Sequence, residues 1–364
     1  MVAADVRQRR RASLTTVTPR IHVDLLRPGD AESYDRFVRA LPTSLFYHSW
    51  AYKEFLKALL GCREHYLVAV EQGTIRGALP LMQAAGPGGI YNSLPFFGTS
   101  AGIIASDDDA YSELSRAYNE LARQPGTRSS TIVGSQFGPR RDAQVLAYNY
   151  VDARIAQLTP LPEDGDREAR LMAQFDPAAR RNVRKAAAAG LTVETDPGEM
   201  GRLSAIHRSG MSAIGGPAKT DRFFDLVSAS FQPGRHFDVY VAKRDGVAVA
   251  GLLLFYHGRT VEYFVPAVDP AFRPLQPLPL IVATAMVDAA RRGFRWWNWG
   301  GTWTTQTGVY RFKKKWGAIE RPYAYYTHLN DEALRAWPRE RLLATWPHFF
   351  VLPFTALIEP RTES

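Results

Sequence analysis

The chain of 364 residues is 46% hydrophobic and 22% charged, ordinary values for a folded protein long enough for two domains. A formal net charge of +9 suits a polyanionic partner, and the one cysteine, Cys62, excludes an internal disulfide and fits an intracellular setting. No run of about 18 apolar residues is present, which excludes a spanning helix; the nearest approach, Phe349 to Ile358, is short and contains Pro353.

Taken in chain order, residues 1–20 read as a disordered basic tail. Arg7, Arg9, Arg10 and Arg11 have no apolar stretch behind them, so the tail is not a secretory signal. A first module is expected over 21–160. Ser49 to Leu60 predicts a helix, with Trp50, Phe55, Leu56, Leu59 and Leu60 mostly on one side. His65 to Gly73 and Thr74 to Met82 predict a hairpin, followed by a helix over Asp109 to Arg123 and a strand over Ser130 to Ser135. Pro160 to Asp166 reads as a linker.

A second module is expected over 167–330. It opens on a helix with Asp176 at the N-cap, Pro177 at the first helical position and Gly190 at the stop. Arg180, Arg181 and Arg184 form a basic ridge on it, because residues four apart are neighbours. A helix over Arg222 to Phe231 then precedes a second hairpin, Phe237 to Gly246 with Val247 to Tyr256. This hairpin repeats the first at an offset of about 172 residues, a domain-length repeat that implies duplication. A helix over Leu280 to Arg292 and a strand over Phe294 to Trp299 complete the unit. Residues 331–364 are expected to pack on the first module. No Cys, His and carboxylate set has metal-ligand spacing, so no metal is expected, and His207 stands alone as a structural or surface residue.

The densest signal is Trp296-Trp297-Asn298-Trp299-Gly300-Gly301-Thr302 with Phe312-Lys313-Lys314-Lys315-Trp316-Gly317 after it. A strand-like aromatic run ends at paired glycines, and cations stand beside aromatics in what reads as a turn. A fixed ammonium here can stabilise charge developing on a carbonyl oxygen. Read bare, three lysines are a solvated charge run.

In its context this stretch resembles the C-terminal signature of the Fem family, whose core stands here as Phe312, Lys313, Trp316 and Gly317. The Arg-rich helix and the opening Phe46-Tyr47-His48-Ser49-Trp50-Ala51-Tyr52-Lys53 are similar to two further family features, and the resemblance runs from about Phe46 to Ala318. It implies an α+β fold of two tandem GNAT (acetyltransferase-like) modules, each a mixed sheet flanked by helices, with a cleft between them. It implies direct aminoacyl transfer from aminoacyl-tRNA to an amine of a peptidoglycan or polysaccharide precursor, with no covalent enzyme intermediate and no tightly bound cofactor. Lys53 with Arg181 or Arg184 would grip the diphosphate of a nucleotide- or lipid-linked precursor, as ammonium and guanidinium groups do. Lys313 would lie near the acyl donor with Phe312 packed behind it, and Tyr263 would be an aromatic contact to substrate. The implied setting is cytoplasmic, at the inner membrane face with peripheral contact, and without DNA.

Two departures stand out. Gly98 to Ile104 lacks the acidic residue that peptidoglycan-modifying members carry, and the second module lacks an inserted helical arm. An acyl-CoA-dependent N-acyltransferase is the alternative. Its pyrophosphate cradle would fall at Arg273 to Pro279, where Pro274, Pro277 and Pro279 remove three N–H donors, or at Ser106 to Asp109, whose charge repels phosphate. A non-catalytic binding protein that kept the fold is a third reading.

Overall fold

The computed structural model describes residues 21–96, 98, 100–138, 141–303 and 306–358. The basic tail therefore lies outside the described residues. The first half contains β1 (His22–Leu25), α1 (Ala31–Ala40), α2 (Trp50–Leu60), β2 (Arg63–Glu64), β3 (Leu67–Glu71), β4 (Thr74–Leu79), β5 (Met82–Gln83), β6 (Gly89–Asn92), β7 (Ile104–Ala105), α3 (Asp108–Ala122), β8 (Thr127–Val133), α4 (Asp142–Val145) and β9 (Tyr150–Pro160). The second half contains α5 (Arg167–Gln174), α6 (Pro177–Ala188), β10 (Thr192–Thr195), α7 (Met200–Ser212), α8 (Asp221–Ser230), β11 (Phe237–Arg244), β12 (Val247–His257), β13 (Thr260–Val268), α9 (Pro277–Arg291), β14 (Trp296–Thr302), α10 (Thr307–Lys314), β15 (Ile319–Leu329) and α11 (Arg339–Thr345).

Local chemistry explains the boundaries. The Ser49 hydroxyl accepts the Tyr52 N–H at the start of α2, and Gly61 ends that helix in the left-handed region. Asp176 caps α6 through the Ala178 N–H, with Pro177 first in the helix. Both hairpins form: β3 pairs with β4, and β11 with β12.

The two halves share a sheet. Four strands, in the order β1-β3-β4-β7, make a small sheet in the first half. The other eleven run β10-β11-β12-β13-β14-β9-β15-β8-β6-β5-β2. The strand after β8 crosses to the edge of β14, and the strand after β14 crosses to β8. β9 and β15 then pair antiparallel along their length, from Ile319↔Leu158 to Thr327↔Tyr150. The parallel contacts are β6 with β8 and β13 with β14, so the sheet is mixed.

Cores lie on both faces. Trp297, Trp299, Trp316 and Phe175 pack with the underside of α9. In a second cluster Phe46, from the segment before α2, stacks on Phe255 of β12 at 4.4 Å and 10°. This stack joins first-half and second-half sequence, and each buried aromatic ring of this kind adds about 0.5–1.5 kcal/mol beyond its area. The C-terminal segment lies across β6 and β8. Asn92 donates to the Phe350 carbonyl and accepts the Phe350 N–H (2.9 and 2.6 Å), and the Ser129 hydroxyl donates to the Val351 carbonyl.

Candidate functional site

β13 and β14 run parallel for three residue pairs only, ending at Glu262↔Asn298. Beyond that pair they part. β14 keeps its bonds to β9 but slips register between Asn298 and Gly301, a bulge built on the glycine pair. A cavity of about 1100 Å³ opens there, and the next residues on each strand, Tyr263 and Trp299, are in its wall. Ligands in open sheets bind where neighbouring strands diverge at their carboxyl ends. The cavity also takes walls from α2, from the segment before α8, and from the C-terminal segment. It is therefore a cleft between sequence halves.

A buried polar chain sits at the point of divergence. Tyr47 donates to Glu262 Oε2 at 3.1 Å, and Asn298 Nδ2 donates to the same oxygen at 2.8 Å. Asn298 Oδ1 accepts the Gly300 N–H at 3.0 Å. Glu262 is 1% exposed, and its Oε1 has no hydrogen-bond donor among the described residues. Burial pushes its carboxyl up to about 8, against the pull of the Asn298 and Tyr47 hydrogen bonds. Tyr47 is in the cleft wall, so this acid communicates with the cleft through one phenol.

The bulge is fixed from behind. Lys313 donates to the carbonyls of Gly300 (3.3 Å) and Gly301 (3.0 Å) and to the Thr302 hydroxyl (2.9 Å), which in turn donates to Gln157 on β9. Burial brings the ammonium down to about 8. The lysine sits on α10, where a turn was expected; the two-turn helix ends at Lys314, and the chain turns away through left-handed Gly317. Phe312 packs edge-on to Trp299, and the Trp316 carbonyl accepts from the Thr159 hydroxyl at 3.0 Å. Gly301 faces the cleft against the Tyr323 hydroxyl, and a Cβ there would come within 2.0 Å of that oxygen.

Of the remaining residues of the sequence reading, one lines the cleft and three do not. Tyr263 is in the cleft wall, and burial raises its phenol well above the usual range. Lys53 is 2% exposed and held by Glu54 and Glu64 (2.5 and 2.8 Å) beneath the Trp50 ring. Its charge is already matched by carboxylates, so a diphosphate would have to displace Glu64. Arg181 and Arg184 are exposed on α6. Neither Lys53 nor the two arginines line the cleft, and the three do not converge on it. Lys53 is an internal ion-pair partner here, and the two arginines belong to an exposed surface of α6. That surface continues onto α10, because the Asp176 N–H bonds the Lys315 carbonyl (2.8 Å) and brings Lys314 and Lys315 beside the start of α6.

Sequence reasoning missed Tyr47 and Glu262 as a pair, together with Arg154, Lys219 and Tyr323. Glu262 left a signal: an acid inside the apolar run Thr260-Val261-Glu262-Tyr263-Phe264-Val265 is either paired or functional. His207 is buried and accepts the Lys219 N–H at 3.1 Å, consistent with a structural residue at the cleft edge. One acidic group was not foreseen: oxygens of Glu194, Asp196 and Glu199 lie within 4.8 Å of one another. The Lys243 ammonium pairs with Glu194 and Glu199 at that spot.

The start of α9 is poor in donors. Pro277 and Pro279 remove two of the four N–H groups that a helix N-terminus leaves free, and Gln276 before them is left-handed. At α3, Asp107 takes the Ala110 N–H itself, with Asp108 and Asp109 in the first turn.

Residues 175–314 match the model of the acetyltransferase (GNAT) domain. No curated protein matches the chain in sequence. Among solved structures, FemX superposes with a TM-score of 0.70 at 15% identity, over 86% of this chain and 98% of that one. The C-terminal domain of a putative lysylphosphatidylglycerol synthetase from Agrobacterium fabrum gives 0.54 at 13%, over 84% and 93%. The L-PGS of Bacillus licheniformis gives 0.51 at 11%, over 81% and 94%. At these identities the likeness is one of fold. The chain has the Fem-like fold of duplicated GNAT modules, with a GNAT domain in its second half.

Proposed function

We propose that the protein is an acyltransferase that moves an aminoacyl group from aminoacyl-tRNA to an amine of a cell-envelope precursor, in the cleft where β13 and β14 part. The observation that carries the reading is the coincidence, at one point, of strand divergence, a glycine bulge held rigid by Lys313, and a buried acid linked to the cleft by Tyr47. The fold shared with FemX and with a lysylphosphatidylglycerol synthetase supports aminoacyl transfer.

The chemistry is direct. The acceptor nitrogen attacks the ester carbonyl, the C–N bond forms, and the C–O bond to the tRNA ribose breaks. The nitrogen gives up a proton, and the leaving ribose oxygen takes one. Tyr47 receives the amine proton while passing its own to ionised Glu262, so the phenol stays neutral. The rigid bulge and the Tyr323 hydroxyl define where the carbonyl lies; Lys313 acts as a positioning residue through Gly300 and Gly301. In this reading the exposed Arg181, Arg184, Lys314 and Lys315 would contact donor phosphates outside the cleft, as the net charge of +9 favours. The proline-rich start of α9 disfavours acyl-CoA as donor, because successive N–H groups cannot form a pyrophosphate cradle there.

The test supplies labelled aminoacyl-tRNA pools and labelled acetyl-CoA in parallel, with nucleotide-linked and lipid-linked envelope precursors as acceptors. Transfer from tRNA, and no saturable thermal stabilisation by micromolar CoA, is the expected result. Transfer from acetyl-CoA alone overturns the choice of donor.

A further inference from the structure

A second pocket, of about 160 Å³, opens where β8 leaves β15. It is lined by Ser135, Gln136, Phe137, Gly138, Arg321 and Pro322, and it shares no lining residue with the cleft. The last bond between the two strands runs from the Gly134 N–H to the Ala324 carbonyl at 2.9 Å. Beyond it the Ser135 hydroxyl accepts the N–H groups of Phe137 and Gly138 (3.1 and 2.8 Å), and the Phe137 ring packs against Trp296 at 6.0 Å. Gln136 stands between these anchors.

Gln136 is the informative residue. It is 7% exposed, yet neither its Nε2 nor its Oε1 has a hydrogen-bond partner among the described residues. A side-chain amide so far from solvent is normally satisfied, because leaving both of its groups unmet opposes folding. Arg321 reaches the same pocket from β15, and no carboxylate pairs with it among the described residues. No Asp or Glu lines the pocket among the described residues.

The lining offers a guanidinium, an amide nitrogen and a hydroxyl hydrogen as donors, against one side-chain acceptor, Gln136 Oε1. Donors in excess around a fixed positive charge select an anion, and the guanidinium fork matches a carboxylate. The acceptor calls for an N–H beside that carboxylate. An ammonium is a poor match, because it would stand next to the guanidinium with no counter-charge in the lining. A neutral amide N–H is a good one. Phosphate meets the donors but turns anionic oxygens on Oε1. At about 30 Å³ for each water-sized group the pocket holds roughly five non-hydrogen atoms, which suits the carboxylate, α-carbon and nitrogen of one amino-acid residue.

Register gives the location. Arg321 is opposite Ala156, Ala156 is opposite Gly301, and Tyr323 is two along from Arg321. Opposite residues share a face of the sheet, as do residues two apart. The pocket therefore lies on the cleft side, two strands or roughly 10 Å from the glycine bulge.

We infer that this pocket is a binding site, separate from the transfer cleft, for the terminal carboxylate of an N-acylated amino acid or peptide. The carboxylate meets Arg321 and Gln136 Nε2, and the amide N–H meets Gln136 Oε1. The assignment does not depend on the transfer reading.

Ligand-observed NMR titration of the full chain with N-acetylglycine tests it. N-acetylglycinamide, which lacks the carboxylate, acetate, which lacks the N–H, and inorganic phosphate are the comparisons. N-acetylglycine should bind saturably and each comparison more weakly, the amide by about tenfold, the scale of one charged hydrogen bond. Arg321→Met, at an exposed position, should weaken N-acetylglycine by a similar factor. Gln136→Met keeps the length of the side chain and removes both polar atoms. It should also weaken binding, yet melt no lower than the wild type, since the amide makes no bond in the free protein. N-acetyltriglycine separates the sources: tighter binding than N-acetylglycine indicates a peptide end, and equal binding indicates a single acylated residue. Three results overturn the inference: no saturable binding of N-acetylglycine, equal binding of the amide or of phosphate, or a lower Tm in Gln136→Met with binding unchanged. No acyl donor is present in the titration, so its outcome and that of the transfer assay are read separately.

Discussion

Glu262 and Lys313 face each other's work across β14. One is an acid held at about 8 by burial, and the other an ammonium lowered to about 8 by the same cause. For Glu262 the folded carboxyl lies above its ordinary value of 4.5, so the native state binds a proton that the unfolded state has lost. Stability from this group is complete below about 4.5 and is lost as pH rises toward about 8. Glu262→Gln, which is neutral throughout, should therefore melt higher than the wild type at pH 8 and similarly at pH 4.5. In transfer assays the wild-type rate should climb as pH passes about 8 and Glu262 ionises, and this limb should vanish in Glu262→Gln. A retained limb in the variant would remove Glu262 from proton transfer. Lys313→Met leaves two carbonyls and a hydroxyl without their donor, at a cost of about 1–3 kcal/mol. The sequence alone suggested an ammonium lying near the donor. The structure instead predicts a lower Tm together with slower transfer, whereas Lys315→Met, at an exposed position, should leave the Tm unchanged.

At the scale of elements, the sequence was most informative where local chemistry decides the outcome. The Asp176 cap, the helix beginning near Ser49 and both hairpins depend on residues close in sequence, and they stand where spacing puts them. The exchange of β9 and β15 was not legible, because its pairings join residues more than 150 positions apart. Nor was the closed state of Lys53: helical spacing shows its neighbours on α2 but not Glu64 on β2, which matches its charge. The lysine run was only half legible, since periodicity over eight residues cannot separate a turn from the short helix α10. The α6 surface yields its own expectation. If Arg181 and Arg184 contact donor phosphates, each substitution to Ala should weaken tRNA binding at all sequences and reduce the slope of log affinity against log salt by roughly 1. An unchanged slope in the double variant would place the donor elsewhere.

At the scale of the molecule, the cleft depends on both halves and on the chain's end. Phe349 to Leu352 form part of its wall, and Asn92 holds that segment through both polar groups of the Phe350 backbone. Asn92→Ala should cost about 1–3 kcal/mol through those two unmet groups, and limited proteolysis should then cut the C-terminal segment sooner. The central claim is that transfer takes place where β13 and β14 part. Gly301→Ala tests it most directly, because the added methyl meets the Tyr323 hydroxyl inside the cleft and touches no surface proposed for tRNA or for folding caps. Single-turnover transfer of labelled aminoacyl groups should fall by about 10²-fold, the scale of a misplacement near 1 Å, with tRNA binding unchanged. Transfer at the wild-type rate by a folded Gly301→Ala protein would contradict the account.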